Sequence, residues 1–197
     1  FVSITSFAQT LEKKLDAVFQ EYYKPNKPGA TVLIAKEGKT IYRKAFGSAN
    51  LELNIPMKPE NVLELGSISK QFTAVVILQL VEQGKLTLQD PLSKYISDYP
   101  KGNEITIHHL LTHTSGIKNY TDLPNFLTIA SEDMTPLELI GEFKNLPLDF
   151  EPGEKWNYSN SGYILLGYII EQASKITYEE YVETNIFKKL GMTHSCY

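Results

Sequence analysis

Apolar residues recur at helical spacing near the start of the chain and then give way to an alternating pattern. Residues 6–23 predict an amphipathic helix, which the proline- and glycine-containing stretch 25–29 ends. Residues 30–36 and 40–46 predict two strands, with Glu37-Gly38-Lys39 as the turn between them. We therefore expect a hairpin that packs against the first helix and belongs to an antiparallel sheet.

After a long predicted connection over residues 47–66, the pattern becomes helical. Residues 71–83 are apolar around most of the predicted helix, so we expect this helix to be central and buried. Asp90-Pro91 is a helix-start signal. The further predicted helices are one carrying His108 to Thr112 with Thr106 as its cap, one from Met134-Thr135-Pro136 to about residue 145, one over residues 162–173, and one over residues 177–190 that ends at Gly191.

This order of elements predicts an α+β fold with soft domain boundaries. Residues 1–55 and 176–197 are assigned to a sheet domain that is incomplete in this chain, and residues 56–175 to an all-helical domain. A cleft where two such regions meet is a common place for a ligand site.

Composition narrows the range of functions. The net charge of −4, without any cluster of Lys or Arg, argues against nucleic-acid binding. No apolar run reaches the roughly 18 residues of a membrane span. Cys196 is the single cysteine and cannot form an internal disulfide. His108 and His109 are adjacent and should point apart on a helix, so we predict no metal site, and no cofactor is implied.

Candidate chemistry begins at Ser67-Ile68-Ser69-Lys70, just before the apolar helix. Residues three apart on a helical turn share a face, so Ser67 and Lys70 should lie close together. A serine hydroxyl needs a neighbouring base to become a strong nucleophile, and a lysine amine in an apolar site can supply one. The helix N-terminus favours a developing oxyanion. Because Ser-x-x-Lys also occurs by chance, the motif alone does not establish catalysis.

A second candidate motif is Tyr158-Ser159-Asn160, which follows a turn-rich segment and precedes another apolar run. The phenol of Tyr158 could relay protons, and the amide of Asn160 could hold a substrate carbonyl. The alternative is a tyrosine that packs at a helix entrance, with Asn160 or Ser161 as the helix cap. Residues Ser67, Lys70, Tyr158 and Asn160 are thus the predicted site.

Together these motifs resemble a known family. Residues 67–70, Ile105 to Gly116 and Pro152 to Tyr163 stand in the order found in serine β-lactamase-like proteins. This family includes class C β-lactamases, D-alanyl-D-alanine carboxypeptidases, penicillin-binding proteins, and related esterases and peptidases. The resemblance covers residues from about 28 to the C-terminus and implies a β-lactamase/transpeptidase-like fold.

The resemblance also implies roles for the site residues. Ser67 would be the acylated nucleophile, and its backbone N–H would form half of the oxyanion hole. Lys70 would be the general base or proton shuttle, Tyr158 would share the proton transfers, and Asn160 would position the substrate carbonyl. His113 lies in His113-Thr114-Ser115-Gly116, which we interpret as a turn between helices, and we expect this histidine to bind turn backbone.

One family motif has no counterpart in this sequence. No Lys/His-Thr/Ser-Gly sequence follows Asn160, and in the family the strand that carries this motif also supplies an oxyanion-hole N–H. We therefore expect this chain to be the N-terminal portion of a longer protein and to be inactive or weak by itself. Its free strand edge offers a place to pair with a C-terminal segment or with another chain.

The functional prediction is a serine acyl-enzyme hydrolase of amides or esters. A D-Ala peptide, a β-lactam and a small ester remain open as substrates, so the expected partner is a small molecule or a peptide. The alternative is a non-catalytic binding or structural protein that retains the penicillin-recognising fold. The resemblance implies a periplasmic or secreted location.

Overall fold

The computed structural model describes the backbone of residues 4–197 and the side chains from residue 11 onward. Backbone contacts divide the chain into two compact units, Phe1–Glu64 and Leu65–Tyr197. In this division, residues 176–197 group with the helices before them. The assignment of residues 1–55 and 176–197 to one sheet domain, and of residues 56–175 to a helical domain, stays a prediction.

The first unit contains the predicted helix and hairpin. Helix α1 spans Ile4–Tyr22, and strands β1 (Ala30–Lys36) and β2 (Lys39–Phe46) pair antiparallel. The turn residues Glu37 and Gly38 have φ values of 52° and 72°. Two positive φ values in a two-residue loop match the twist of the strands, which is why glycine is favoured there. The predictions for this part of the fold are confirmed.

Helix α1 packs against β2 through aromatic and charged contacts. The ring of Phe19 stacks on those of Tyr42 and Phe46, with centroid distances of 6.0 and 5.6 Å. Beside this stack, Tyr42 donates a 2.7 Å hydrogen bond to Asp16, and Lys44 forms a 2.8 Å ion pair with the same carboxylate. These contacts hold the hairpin on the helix, as the sequence predicted.

The predicted connection over residues 47–66 contains a short antiparallel pair. Strands β3 (Ser48–Asn50) and β4 (Ile55–Pro56) form this second two-stranded sheet. The sequence did not indicate these strands, because three- and two-residue strands leave no readable alternation of apolar and polar side chains.

The second unit is helical. Its elements are α2 (Lys70–Glu82), α3 (Ile107–Leu111), α4 (Phe126–Ile129), α5 (Pro136–Lys144), α6 (Asn160–Ser174), α7 (Tyr178–Val182), a π-helical turn (Glu183–Phe187) and α8 (Lys188–Leu190), with single 3₁₀ turns at Gly66–Ser69, Leu92–Lys94 and Tyr120–Asp122. The hydroxyls of Thr106, Thr135 and Thr177 cap α3, α5 and α7, and Gly191 ends α8 with a φ of 66°. These starts and stops agree with the capping residues found in the sequence.

The helix signal at Asp90-Pro91 leads to a single 3₁₀ turn only. Pro91 itself is extended, with a ψ of 148°. The backbone N–H of Leu92 donates to Ile105, and that of Ser93 donates to Gly102. These two N–H groups stand at the start of the turn, where a helix offers them no partner, and a distant segment binds them instead.

Helix α6 lies at the centre of the second unit and contacts α2, α3, α5 and α7. Its side chains Leu165, Leu166, Ile169 and Ile170 are completely buried. Helix α2 was expected to be central and buried, and this is only partly correct. Val76, Ile77 and Leu80 are fully buried, whereas Val75 and Leu78 are 44% and 49% exposed.

Within the described residues, no helix is both long enough and apolar enough to cross a membrane.

We expect Leu166→Ala to destabilise the second unit by about 2–5 kcal/mol, because it removes buried methyl groups and leaves a cavity in the core. Leu127→Ala is the matched control, since Leu127 is 82% exposed, and should change the stability by less than about 0.5 kcal/mol. Urea unfolding followed by the fluorescence of Trp156 measures both. Equal stabilities of the two variants would contradict the central position of α6.

Candidate active site

Ser67 and Lys70 meet at the entrance to α2. Ser67 lies in the 3₁₀ turn Gly66–Ser69, and Lys70 is the first residue of α2. Side chains three residues apart in a 3₁₀ turn lie one above the other. The Lys70 Nζ is accordingly 3.4 Å from the Ser67 Oγ, so the predicted pair is formed locally by consecutive turns.

Tyr158 joins this pair from a distant loop. Its phenol oxygen lies 2.6 Å from the Ser67 Oγ, and the two hydroxyls share a hydrogen bond. The Lys70 ammonium group lies 4.9 Å from the centre of the Tyr158 ring and 5.4 Å from that of Tyr163. A cation near aromatic faces is stabilised by their negative quadrupole. The lysine is therefore held against the tyrosine that contacts the serine.

Asn160 is the first residue of α6 and completes the cluster. Its Oδ1 accepts a 2.8 Å hydrogen bond from Lys70, and its Nδ2 donates to Thr121 at 3.2 Å. These two bonds fix the side-chain amide. Neither Asn160 nor Ser161 caps the helix, because the Ser159 Oγ accepts the N–H of Gly162.

The electrostatics of Tyr158 follow from its neighbours. Burial by itself would raise the pKa of Tyr158, but hydrogen bonding with Lys70 and Ser67 and the charge of Lys70 outweigh it, so this pKa lies below the ordinary value of 10. The phenolate form is thus more accessible here than in an ordinary tyrosine.

The segment from His113 to Gly116 is a turn, as predicted. Gly116 has a φ of 73°, and a Cβ at this position would lie only 1.9 Å from the carbonyl oxygen of Phe150. The imidazole Nδ1 of His113 accepts the backbone N–H of Ser159 at 3.2 Å. His113 therefore binds backbone as predicted, but the partner of its side chain lies in the loop that carries Tyr158 rather than in the turn itself.

Three polar side chains support the site and were not predicted. The Oδ1 of Asn119 accepts the backbone N–H of Asn160, and Thr121 binds the Asn160 side chain. Ser161 is fully buried; its Oγ accepts from the N–H of Tyr120 and donates to the carbonyl of Lys118. Of these three residues, only Ser161 could have been recognised from the sequence, because it is a small polar residue at the start of a very apolar helix.

A cavity of about 510 Å³ lies beside Lys70 and Asn160. Its wall is largely aromatic and apolar, with Glu171 and Glu179 among the lining residues. The other wall residues that characterise it are Tyr120, Met134, Leu139, Tyr163, Tyr168 and Tyr178. Among the residues that the structure describes, including those that line this cavity, no three His, Cys, Asp or Glu side chains cluster in a way that could hold a metal ion.

The family model described as Beta-lactamase matches residues 11–196, almost the whole chain. The chain belongs to this family. A penicillin-binding protein of Bacillus subtilis (strain 168) is 35% identical over 192 residues, which cover 95% of this chain and 42% of the relative. The resemblance inferred from the three motifs is thereby confirmed.

Solved structures of family members share the fold. A penicillin-binding protein from Bacillus halodurans is 35% identical with a TM-score of 0.77, and the match covers 92% of this chain and 55% of that protein. The D-amino acid amidase of Ochrobactrum anthropi SV3, complexed with D-phenylalanine, is 26% identical with a TM-score of 0.80. That match covers 97% of this chain and 52% of the amidase. The β-lactamase/transpeptidase-like fold is thus confirmed, and the chain spans about half or less of these relatives.

We expect Tyr158 to ionise below pH 10, and Lys70→Met to move this ionisation to higher pH, since the variant removes the positive charge that favours the phenolate. NMR of protein labelled with ¹³C-tyrosine measures the midpoint, and Tyr158→Phe assigns the resonance. A midpoint that is the same with and without Lys70 would show that the lysine does not set the charge of the phenol.

Proposed function

We propose that this chain carries the nucleophile and proton-transfer groups of a serine hydrolase that forms an acyl-enzyme with amide or ester substrates. The observation that carries the proposal is the 2.6 Å contact between the Ser67 Oγ and the phenol of Tyr158. A nucleophile and a base within hydrogen-bond reach, with a third group that orients the base, are the signature of covalent catalysis. Lys70 is that third group.

The distances favour Tyr158 over Lys70 as the immediate acceptor of the serine proton. The phenol oxygen is 2.6 Å from the Ser67 Oγ, whereas the lysine Nζ is 3.4 Å away. The Lys70 charge lowers the pKa of Tyr158, so a phenolate is accessible as a base. Lys70 in this arrangement holds the phenolate and binds the Asn160 amide oxygen.

The reaction then proceeds in two steps. The Ser67 Oγ bonds to the substrate carbonyl carbon while its proton moves to the Tyr158 oxygen. The tetrahedral intermediate collapses, the bond to the amine or alkoxide breaks, and Tyr158 returns the proton to this leaving group. A water molecule next attacks the acyl-enzyme carbonyl carbon and gives its proton to Tyr158. The bond between this carbon and the Ser67 Oγ then breaks, Tyr158 returns the proton to the Oγ, and the acid is released.

The amide group of Asn160 is suited to orienting a substrate carbonyl. One N–H of its Nδ2 is directed to Thr121, and an amide nitrogen has a second donor. Among relatives, one is named a D-amino acid amidase and others are named penicillin-binding proteins. These names support amide or β-lactam substrates for this protein. We propose separately that the protein acts outside the cytoplasm, in the periplasm or as a secreted protein.

Ser67→Ala should abolish covalent labelling by a fluorophosphonate or a penicillin, because it removes the hydroxyl that is proposed to bond to these probes. The protein, produced from its complete gene, is incubated with each probe, and the modified peptide is identified by mass spectrometry. Ser131→Ala is the matched control, since Ser131 is exposed and its hydroxyl bonds only the nearby carbonyl of Thr128.

Labelling that persists at another serine would refute the role of Ser67. A wild-type protein that binds penicillin reversibly without forming an adduct would instead favour the alternative of a binding protein that retains the fold.

Lys70→Arg should lower turnover of an activated ester by about a hundredfold, the scale expected for a misplaced catalytic group. Arginine keeps the positive charge, but its larger planar guanidinium does not fit the point contacts that the Lys70 Nζ makes with Asn160 and Ser67, so it displaces the phenol of Tyr158. Lys85→Arg, at an exposed lysine, serves as the control. Near-normal turnover of the Lys70→Arg variant would exclude a specific need for the amine.

A further inference from the structure

His113 contacts the Tyr158 loop at three consecutive residues. Its carbonyl oxygen accepts the N–H of Asn157 at 3.0 Å, and its Nδ1 accepts the N–H of Ser159 at 3.2 Å. Between these two bonds, its imidazole ring lies 4.7 Å from the ring of Tyr158 at an interplanar angle of 34°. The residue before Tyr158, Tyr158 itself and the residue after it are therefore all bound by one histidine.

The histidine is itself held firmly. It adopts a left-handed backbone conformation with a φ of 59°, which is unusual for a residue other than glycine. Its ring also lies 5.2 Å from that of Tyr163, whose hydroxyl donates to the carbonyl of Leu111. The next residue, Thr114, donates its N–H to His109 and accepts the N–H of Gly153. These contacts before and after the histidine fix the position of its imidazole ring.

The contact with Ser159 requires a neutral imidazole. A backbone N–H can donate only to a ring nitrogen without a proton, so Nδ1 is the acceptor and the ring proton lies on Nε2. The titratable groups that face His113 are Lys70 from α2, Tyr158 from the loop and Tyr163 from α6. Burial lowers the pKa of His113, and the positive charge of Lys70 lowers it further. Protonation in acid would remove the acceptor and place a second cation near Lys70.

We propose that His113 is a positioning residue for Tyr158: in its neutral form it holds the phenol against Ser67, and its protonation releases the loop and stops acylation. The proposal rests on the proposed hydrolase function. His113 contacts the Tyr158 loop, and Tyr158 in turn contacts the Ser67 hydroxyl. The histidine therefore acts through Tyr158, and its loss should affect the chemical step rather than substrate binding.

Two substitutions separate the hydrogen bond from the ring. His113→Asn places an amide oxygen near the position of Nδ1, so it keeps an acceptor that does not titrate. His113→Phe keeps an aromatic ring and loses the acceptor. We expect kcat of the phenylalanine variant to fall about 100-fold with little change in KM, the scale of a misplaced catalytic group. The asparagine variant should retain more activity than the phenylalanine variant.

The decisive measurement is the pH dependence of Ser67 acylation in the protein produced from its complete gene, over about pH 5 to 8. The ratio of the wild-type rate to the His113→Asn rate cancels every titration that the two proteins share. Because burial and the charge of Lys70 lower the pKa of His113, the histidine should be neutral and this ratio constant at the upper end of the range. It should decrease in acid, approaching about tenfold per pH unit once the histidine is protonated. A ratio that stays constant through the midpoint at which the ring signal of His113 titrates would overturn the proposal.

A second measurement does not depend on activity. In protein labelled with ¹³C-tyrosine, the Tyr158 resonance should shift with the same midpoint as the His113 ring signal, while circular dichroism shows that the fold is intact. A Tyr158 resonance that does not respond to His113 would overturn the proposal even if the variants fail to fold. If the wild type forms no adduct on Ser67 at any pH, the hydrolase function fails, and the tyrosine resonance still decides whether His113 positions Tyr158.

Discussion

The burial of α6 is the constraint on which the site depends. This helix presents fully buried aliphatic side chains to four neighbouring helices, so it can neither rotate nor slide without exposing them. Asn160 is its first residue, and Tyr158 lies two residues before it. Because α2 is one of the helices packed on α6, the same packing fixes Ser67 and Lys70 relative to Tyr158. Core packing, rather than the site's own hydrogen bonds, therefore places the reacting groups together.

Buried polar side chains determine the fine position of the loop that enters α6. Ser159 and Ser161 are 3% and 0% exposed, and each bonds both a backbone donor and a backbone acceptor. A buried hydroxyl without partners is costly, so these serines accept only the loop conformation that satisfies them. Asn119, 6% exposed, acts on Asn160 in the same way. The segment 117–121 is thus joined to the helix start by specific bonds.

A single charge organises the electrostatics of the cluster. Lys70 lies beside two tyrosine rings, binds Asn160, favours the phenolate of Tyr158 and disfavours a protonated His113. Lys70 lowers the pKa of both side chains, and a lower pKa favours the ionised form of the phenol and the neutral form of the imidazole. The proton affinities of the base and of its neighbour are therefore coupled through one ammonium group, and a change in Lys70 affects both.

The sequence by itself determined the elements whose signals are local. The helical period of α1, the turn at Glu37-Gly38 and the threonine caps depend on backbone bonds within a few residues, so a short window of sequence contains them. The Ser67–Lys70 pair is local in the same sense. The family motifs also indicated which residue types belong to the site.

The tertiary structure alone decided the contacts between distant segments. Ser67 and Tyr158 are 91 residues apart, and the roles of Asn119, Thr121 and His113 at the α6 entrance exist only once these segments pack together. The exposed side of α2 and the single turn after Pro91 were likewise unpredictable from local pattern, because burial and the partners of backbone donors depend on which segment lies alongside. Periodicity specifies the face that a helix can bury, whereas the packing of the whole unit selects what covers it.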